Sequence, residues 1–178
     1  MTSRRLRLSN LAANVVQMDA EAMAFADSSF DYIWSWGVIH HSADTKQVLK
    51  EMRRVLRPGG TCTVMIYYRS WWHFYLCGFI RRVFQHQFRE RRSLHHAAQV
   101  ATDGAIARYY TPRAWRSVTS GLFAVESVQI YGLKTGLLPI PHSGCKAFLE
   151  RLVPDWIARA MTNKLRMGSF LVAQMRRL

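Results

Sequence analysis

Asp44-Thr-Lys-Gln-Val-Leu-Lys-Glu-Met-Arg-Arg-Val-Leu-Arg-Pro-Gly-Gly60-Thr-Cys-Thr-Val-Met-Ile-Tyr67 is the stretch that decides the fold. Val48, Leu49, Met52, Val55 and Leu56 recur at helical spacing, Asp44 is placed to cap that helix, and Gln47 follows three residues later as in a capping box. Arg57-Pro58-Gly59-Gly60 ends the helix, since proline cannot continue it and glycine can turn left-handed. Thr61 to Tyr67 then reads as a strand. Upstream, Phe30-Asp-Tyr-Ile-Trp-Ser-Trp36 reads as an aromatic-rich strand entered through a turn at Ala24 to Ser29. Strand, helix and strand with short joins imply a right-handed crossover and a parallel sheet, so the class is α/β.

Toward the N-terminus, residues 1–13 read as an amphipathic helix with Leu6, Leu8 and Leu11 on the apolar side and Arg4, Arg5 and Arg7 on the other. Val15-Val16-Gln17-Met18 reads as a short buried strand that stops at Asp19. Beyond Tyr68 the pattern changes. Trp71 to Phe88 places Leu76, Phe79, Ile80, Val83 and Phe84 on one arc with Arg81, Arg82, Gln85 and Arg89 opposite, an inserted amphipathic helix. It reads either as a lid over a binding pocket or as an interfacial helix. Arg89 to Ala107 is polar loop, in which His95-His96 is solvated. Pro112 opens a helix over about 112–120, and Phe123 to Tyr131 alternates like a strand. Leu137 to Gly144 is loop, Cys145 to Met161 is helical with a break near Pro154, and Ser169 to Met175 is a last strand.

The 178 residues amount to one domain, and 49% hydrophobic against 20% charged residues is the balance of a folded chain. The longest run without Asp, Glu, Lys or Arg, Tyr32 to Ala43, is short of the ~18–20 residues of a spanning helix. Met1-Thr2-Ser3-Arg4-Arg5 is followed by no apolar run, so no secretory leader is expected. Cys62, Cys77 and Cys145 are odd in number and far apart, which suits reduced thiols in the cytoplasm. The formal charge of +14 is uneven: residues 1–60 hold 8 basic and 6 acidic side chains, the remainder 17 and 5. Such an excess attracts nucleic acid, anionic lipid or an acidic substrate without choosing among them.

Specific chemistry lies between Asp19 and Gly60. Asp19-Ala-Glu-Ala-Met-Ala-Phe-Ala-Asp-Ser-Ser-Phe-Asp-Tyr-Ile33, Ser35-Trp-Gly-Val-Ile-His-His41 and Glu51-Met-Arg-Arg-Val-Leu-Arg-Pro-Gly-Gly60 occur in the order and spacing of a known family. Over roughly residues 10–68 the chain closely resembles class I S-adenosylmethionine-dependent methyltransferases of the type often called methyltransferase 11. The resemblance is weaker over 104–131, including Ala107-Arg-Tyr-Tyr-Thr-Pro-Arg113.

This resemblance implies a Rossmann-like, mostly parallel sheet and S-adenosyl-L-methionine as cofactor. Asp19, Ala20 and Glu21 are expected on the adenine side: the Asp19 carboxylate accepts from the amino group, and the backbone that follows reads the ring edge. Read without the family, Asp19 is a turn or cap residue. The backbone at Ser35, Trp36 and Gly37 is expected to meet the cofactor's methionine part, Gly37 allowing close approach. Trp34 and Trp36 read as core and crevice wall. The family's acceptor side lies just past this strand, which makes His40 and His41 candidate substrate-binding residues. As metal ligands they are weak candidates, because neighbours on an extended segment point apart and no further ligand stands at the usual spacing; no metal is expected. No catalytic base is named, since positioning donor and acceptor in line supplies most of the rate in such enzymes.

One family feature is missing from the sequence. None of the ten glycines forms the glycine-rich G-x-G-x-G loop, and the acid that holds the ribose is not found. Against the family the chain is expected to lack the first two strands and the helix between them, leaving a single partial domain: a cofactor-side core at 1–68, a helical insertion or lid at 69–103, and C-terminal helices and strands at 104–178. The expected activity is methyl transfer to a small-molecule or lipid-like acceptor, impaired in this chain. The alternative is a non-catalytic remnant or basic binding module contacting anionic lipid, nucleic acid or a partner protein. Expected partners are a small-molecule acceptor, a membrane surface met peripherally through residues 71–89, and a second copy through an exposed sheet edge, with no specific nucleic acid.

Overall fold

The computed structural model describes residues 2–77, 107–137 and 144–178. Five strands form one sheet: β1 (Phe30–Trp36), β2 (Leu56–Tyr68), β3 (Tyr109–Tyr110), β4 (Phe123–Tyr131) and β5 (Phe170–Arg177). The helices are α1 (Thr2–Leu8), α2 (Thr45–Val55), α3 (Pro112–Thr119), α4 (Gly144–Leu152) and α5 (Asp155–Arg159). The strand order is β1-β2-β5-β4, with β3 bridging to β2. β1 and β3 run parallel to β2, and β5 runs antiparallel to both β2 and β4. β5 alone therefore points against the others, and the sheet is mostly parallel in strand direction.

The α2 crossover forms as its sequence dictates. The Asp44 side chain accepts from the Lys46 and Gln47 backbone N–H groups, satisfying orphan donors of the first turn. The return half of the capping box comes from elsewhere: Glu21 Oε1, not Gln47, accepts the Asp44 N–H at 2.9 Å. Val48, Leu49 and Met52 are buried in one cluster with Cys62, Val64 and Ile66 of β2 and Leu171, Ala173 and Met175 of β5. Burial is worth about 1.5–3 kcal/mol for each large aliphatic side chain, so this layer anchors the fold. Trp115 of α3, capped by the Thr111 hydroxyl, joins the same core and places α3 beside α2.

Arg57-Pro58-Gly59-Gly60 does not separate helix from strand as the sequence reading had it. β2 begins at Leu56, and the four residues bulge from its start, since Phe30 pairs with Leu56 while Tyr32 already pairs with Thr61. A side chain at Gly60 would meet the Arg57 and Asp31 carbonyls at 2.9 and 3.1 Å, so the bulge needs a glycine there.

Three further expectations are corrected. Val15 to Met18 forms no strand, and Val15 and Val16 are exposed; an apolar run becomes a strand only with a ladder partner, and none of the described strands pairs with it. The N-terminal helix stops at Leu8 rather than reaching residue 13, with Leu8 and Leu11 exposed. Trp34 and Trp36 are not core residues: with Tyr32 they occupy the outward face of β1 at 60%, 49% and 48% exposure, because β1 is an edge strand of the described sheet and α2 covers only its other face. The two indoles stack with centroids 4.9 Å apart.

The helix expected over Trp71 to Phe88 begins as a π-helical turn at Trp71–Cys77, and the rest of it lies outside the described residues, as does the loop to 106. Trp71 and Trp72 donate through their indole N–H groups to the Leu165 and Leu137 carbonyls, tying this turn to the segments that follow β4 and precede β5. No helix among the described residues is long and apolar enough to cross a membrane.

Candidate functional site

The C-terminal ends of β1 and β2 and the segment 19–27 carry the residues singled out from the sequence. Segment 19–27 is irregular, and its shape comes from hydrogen bonds rather than a ladder. Asp19 is exposed, and its Oδ1 accepts the Glu21 N–H at 2.9 Å, a local turn that leaves the other carboxylate oxygen available. Ala20 packs on the main core. The Glu21 carboxylate caps α2 through the Asp44 N–H, while its carbonyl accepts from Gln47 Nε2 at 3.2 Å.

A clamp that sequence reasoning missed holds this segment. Glu51 Oε2 accepts the Met23 N–H at 2.8 Å, and Arg54 donates to Glu51, to Asp27 and to the Met23 and Phe25 carbonyls. The Arg54 guanidinium, with the Met23 N–H assisting, holds the Glu51 carboxyl below its ordinary pKa. The signal was visible as opposite charges three apart on α2, on the side away from its apolar stripe.

At the end of β1, Ser35 is buried, Trp36 is half exposed, and Gly37 turns left-handed at φ +74 while its N–H donates to the Met65 carbonyl at 3.2 Å. That conformation favours glycine and leaves backbone bare at the strand end. The chain then enters a 3₁₀ turn at Ile39–His41. His40 and His41 are therefore not on an extended segment. Their rings lie 4.1 Å apart, and His40 sits 4.0 Å from the ring of Tyr67, which in turn meets Tyr109 and Phe170.

His40 is fully buried, and neither ring nitrogen has a hydrogen-bond partner among the described residues. Burial, and then the neighbouring His41, pushes its pKa down to about 4, so it is neutral near pH 7. Its carbonyl accepts the Arg108 N–H at 2.9 Å, and the Arg108 guanidinium reaches the Ala43 carbonyl, so the segment before β3 is fastened over this turn. His41 is only partly buried and is the more accessible of the two. Among the described residues no group of three His, Cys, Asp or Glu side chains is placed to hold a metal.

For S-adenosylmethionine the residues present fit in part. Bare backbone at the left-handed Gly37 and the exposed Asp19 carboxylate are suitable polar partners, while the Glu21 carboxylate is already engaged. The structure therefore brings Ser35, Trp36, Gly37, His40 and His41 together at one strand end, and it sets Asp19 to Glu21 on the separate segment that the Glu51–Arg54 clamp positions.

Comparison with known proteins agrees with the motifs. Residues 1–64 match the family model described as a methyltransferase domain. Methyltransferase GfsG of Streptomyces halstedii is 48% identical over 46 residues, which are 26% of this chain and 16% of that protein. A ubiquinone/menaquinone biosynthesis C-methyltransferase, UbiE of Hahella chejuensis, is 46% identical over 50 residues, 28% of this chain and 20% of that one. The chain thus covers no more than a fifth of these two curated relatives. In fold, a Thermotoga maritima S-adenosylmethionine-dependent methyltransferase, described as a possible histamine N-methyltransferase, aligns over 99% of this chain and 69% of that chain with a TM-score of 0.54 at 18% identity. The likeness to class I S-adenosylmethionine-dependent methyltransferases thus rests on sequence over residues 1–64 and on fold over nearly the whole chain, and the architecture is Rossmann-like. S-adenosylmethionine is the cofactor to be expected of such a domain.

Proposed function

We propose that this chain serves the transfer of a methyl group from S-adenosylmethionine to a nucleophilic O, N or C atom of a small-molecule or lipid-like acceptor. The observation that carries the reading is that the family match over residues 1–64 contains every proposed cofactor contact and ends inside β2, whose C-terminus meets His40 and His41. The cofactor supplies an electrophilic methyl on a sulfonium. The chain's own residues bind and orient. Asp19 offers a carboxylate oxygen to an exocyclic amino group, and the backbone from Ser35 to Gly37 meets an ammonium group. The ring cluster of His41, Tyr67 and Tyr109 forms an aromatic wall for the acceptor. His40, neutral and without a polar partner, supports that wall from beneath.

Residues 1–178 lack a G-x-G-x-G loop among their glycines, so the isolated chain is expected to bind the cofactor weakly and to transfer methyl poorly. The exposed Tyr32, Trp34 and Trp36 on an edge strand support a second property, association of two copies along β1. Calorimetric titration with S-adenosylmethionine, on the chain alone and on the chain joined to a family-like N-terminal segment, tests the main reading. Restored binding that falls by about 1–3 kcal/mol in Asp19→Ala is expected. Failure of the extended protein to bind, or unchanged affinity in a folded Asp19→Ala variant, would refute it. Micromolar binding by the chain alone would overturn the impairment.

A further inference from the structure

The edge of β4 that pairs with no other described strand carries a groove that the methyl-transfer reading leaves unused. It has a volume of about 470 Å³ and is lined by Arg116 of α3, Val128 and Tyr131 of β4, and Asn163, Lys164 and Arg166 of the turn leading to β5. That volume is in the range of small-molecule sites rather than of a lone ion. β4 lies at the opposite edge of the sheet from β1, so this groove is separate from the strand end at Gly37.

Its charge is one-sided. Arg116, Lys164 and Arg166 converge from two elements, and among the described residues none of them takes part in an ion pair. The nearest carboxylate along the strand, Glu126, is spoken for by Arg176 at 2.6 Å. Like charges gathered in a concave surface repel unless an anion joins them.

The backbone adds an independent observation. Arg166 has φ +53, the left-handed region at a helix end where glycine or asparagine is the usual choice. The turn is pinned there by Leu165 N–H to Ala160 O at 3.1 Å, Met167 N–H to Met161 O at 3.2 Å and Gly168 N–H to Thr162 O at 2.9 Å. Glycine would fill this left-handed position with less strain. What the arginine contributes is a guanidinium at the groove.

We propose that this groove binds a phosphate monoester carried on a small apolar body. Two guanidinium forks and an ammonium match a dianion with directional hydrogen bonds, and Val128 with the Tyr131 ring supplies the apolar wall. A soluble organic phosphate and a phosphatidate headgroup share this chemistry.

The test uses the full chain at constant ionic strength, titrated with phenyl phosphate by ³¹P NMR and mixed with phosphatidylcholine vesicles with and without phosphatidic acid. Saturable binding to one of these probes is expected, and whichever binds identifies the source. Arg166→Gly should weaken it about tenfold with an unchanged or raised thermal midpoint, Lys164→Gln should weaken it too, and Arg151→Gln on α4 should not. Absence of saturable binding to both probes would overturn the proposal, and so would equal loss in all three variants, which would mark a diffuse response to net charge.

Discussion

Lowering the pH should destabilise this protein through one side chain, His40. In the unfolded chain a histidine titrates near 6.5, while in the fold His40 is buried, without a polar partner, and its pKa is about 4. Below about pH 6.5 the unfolded chain therefore binds a proton that the folded chain refuses. Stability from this site is fully present above that pH and is lost on acidification, flattening only once the pH falls below about 4. At 1.36 kcal/mol per unit, the loss is about 2 kcal/mol by about pH 5 and about 3 kcal/mol in all. That is a large share of the ~5–15 kcal/mol that holds a domain together.

His40→Phe keeps the ring that packs on His41 and Tyr67 and removes the titration. Because neither nitrogen has a partner to lose, the variant should be at least as stable as the parent near pH 7. Urea unfolding followed by tryptophan fluorescence at about pH 7, 6 and 5 gives both curves. The parent should lose about 2 kcal/mol more than the variant across that range. Parallel curves would refute the reasoning, since another group would then carry the pH dependence.

Asp44→Ala removes the acceptor for the Lys46 and Gln47 N–H groups and should cost about 1 kcal/mol, a fall of about 2–4 °C in a thermal melt. Arg54→Ala should release segment 19–27 from α2, so that amide exchange quickens at Met23 while the central β2 amides keep their protection; unchanged exchange at Met23 would show that the clamp is redundant. Trp34→Lys places a charge on the outward face of β1 and should abolish concentration-dependent association in sedimentation velocity, whereas a parent that stays monomeric at every concentration would rule that association out.

Local signals were legible where a segment's own chemistry decides its state. Phe30–Trp36 and Phe123–Tyr131 are strands over the residues that aromatic composition and alternation respectively marked, and α3 starts at Pro112 with Thr111 capping it. What stayed hidden depends on partners distant in sequence. Val15 to Met18 has a strand's composition and no neighbouring strand to pair with among the described residues. Trp34 and Trp36 look like core residues until the strand order puts them at an edge. Glu51 and Arg54 stand three apart on α2 as an opposite-charge pair, yet nothing local announces that the backbone at residues 23–27 will come to them. His40 was singled out as a site residue, yet its complete burial was not legible, since it packs on Tyr67 of β2 and its carbonyl is held by Arg108, a contact across more than sixty residues of sequence.

The position of β5 also governs how the chain can be made. Its residues are the last of the sheet to be synthesised, yet they lie between β2 and β4, with Thr61 opposite Arg176 and Tyr131 opposite Phe170. Until residues 170–177 have left the ribosome, β2 and β4 have no shared neighbour among the described strands, and their facing edges stay open. Closing the β2–β5 ladder spans most of the chain, which makes it a slow step. The half-built sheet is thus open to chaperones, proteases and other nascent chains until residues 170–177 arrive, and a synonymous change that slows translation between β4 and β5 would lengthen that exposure without altering a single contact of the folded sheet.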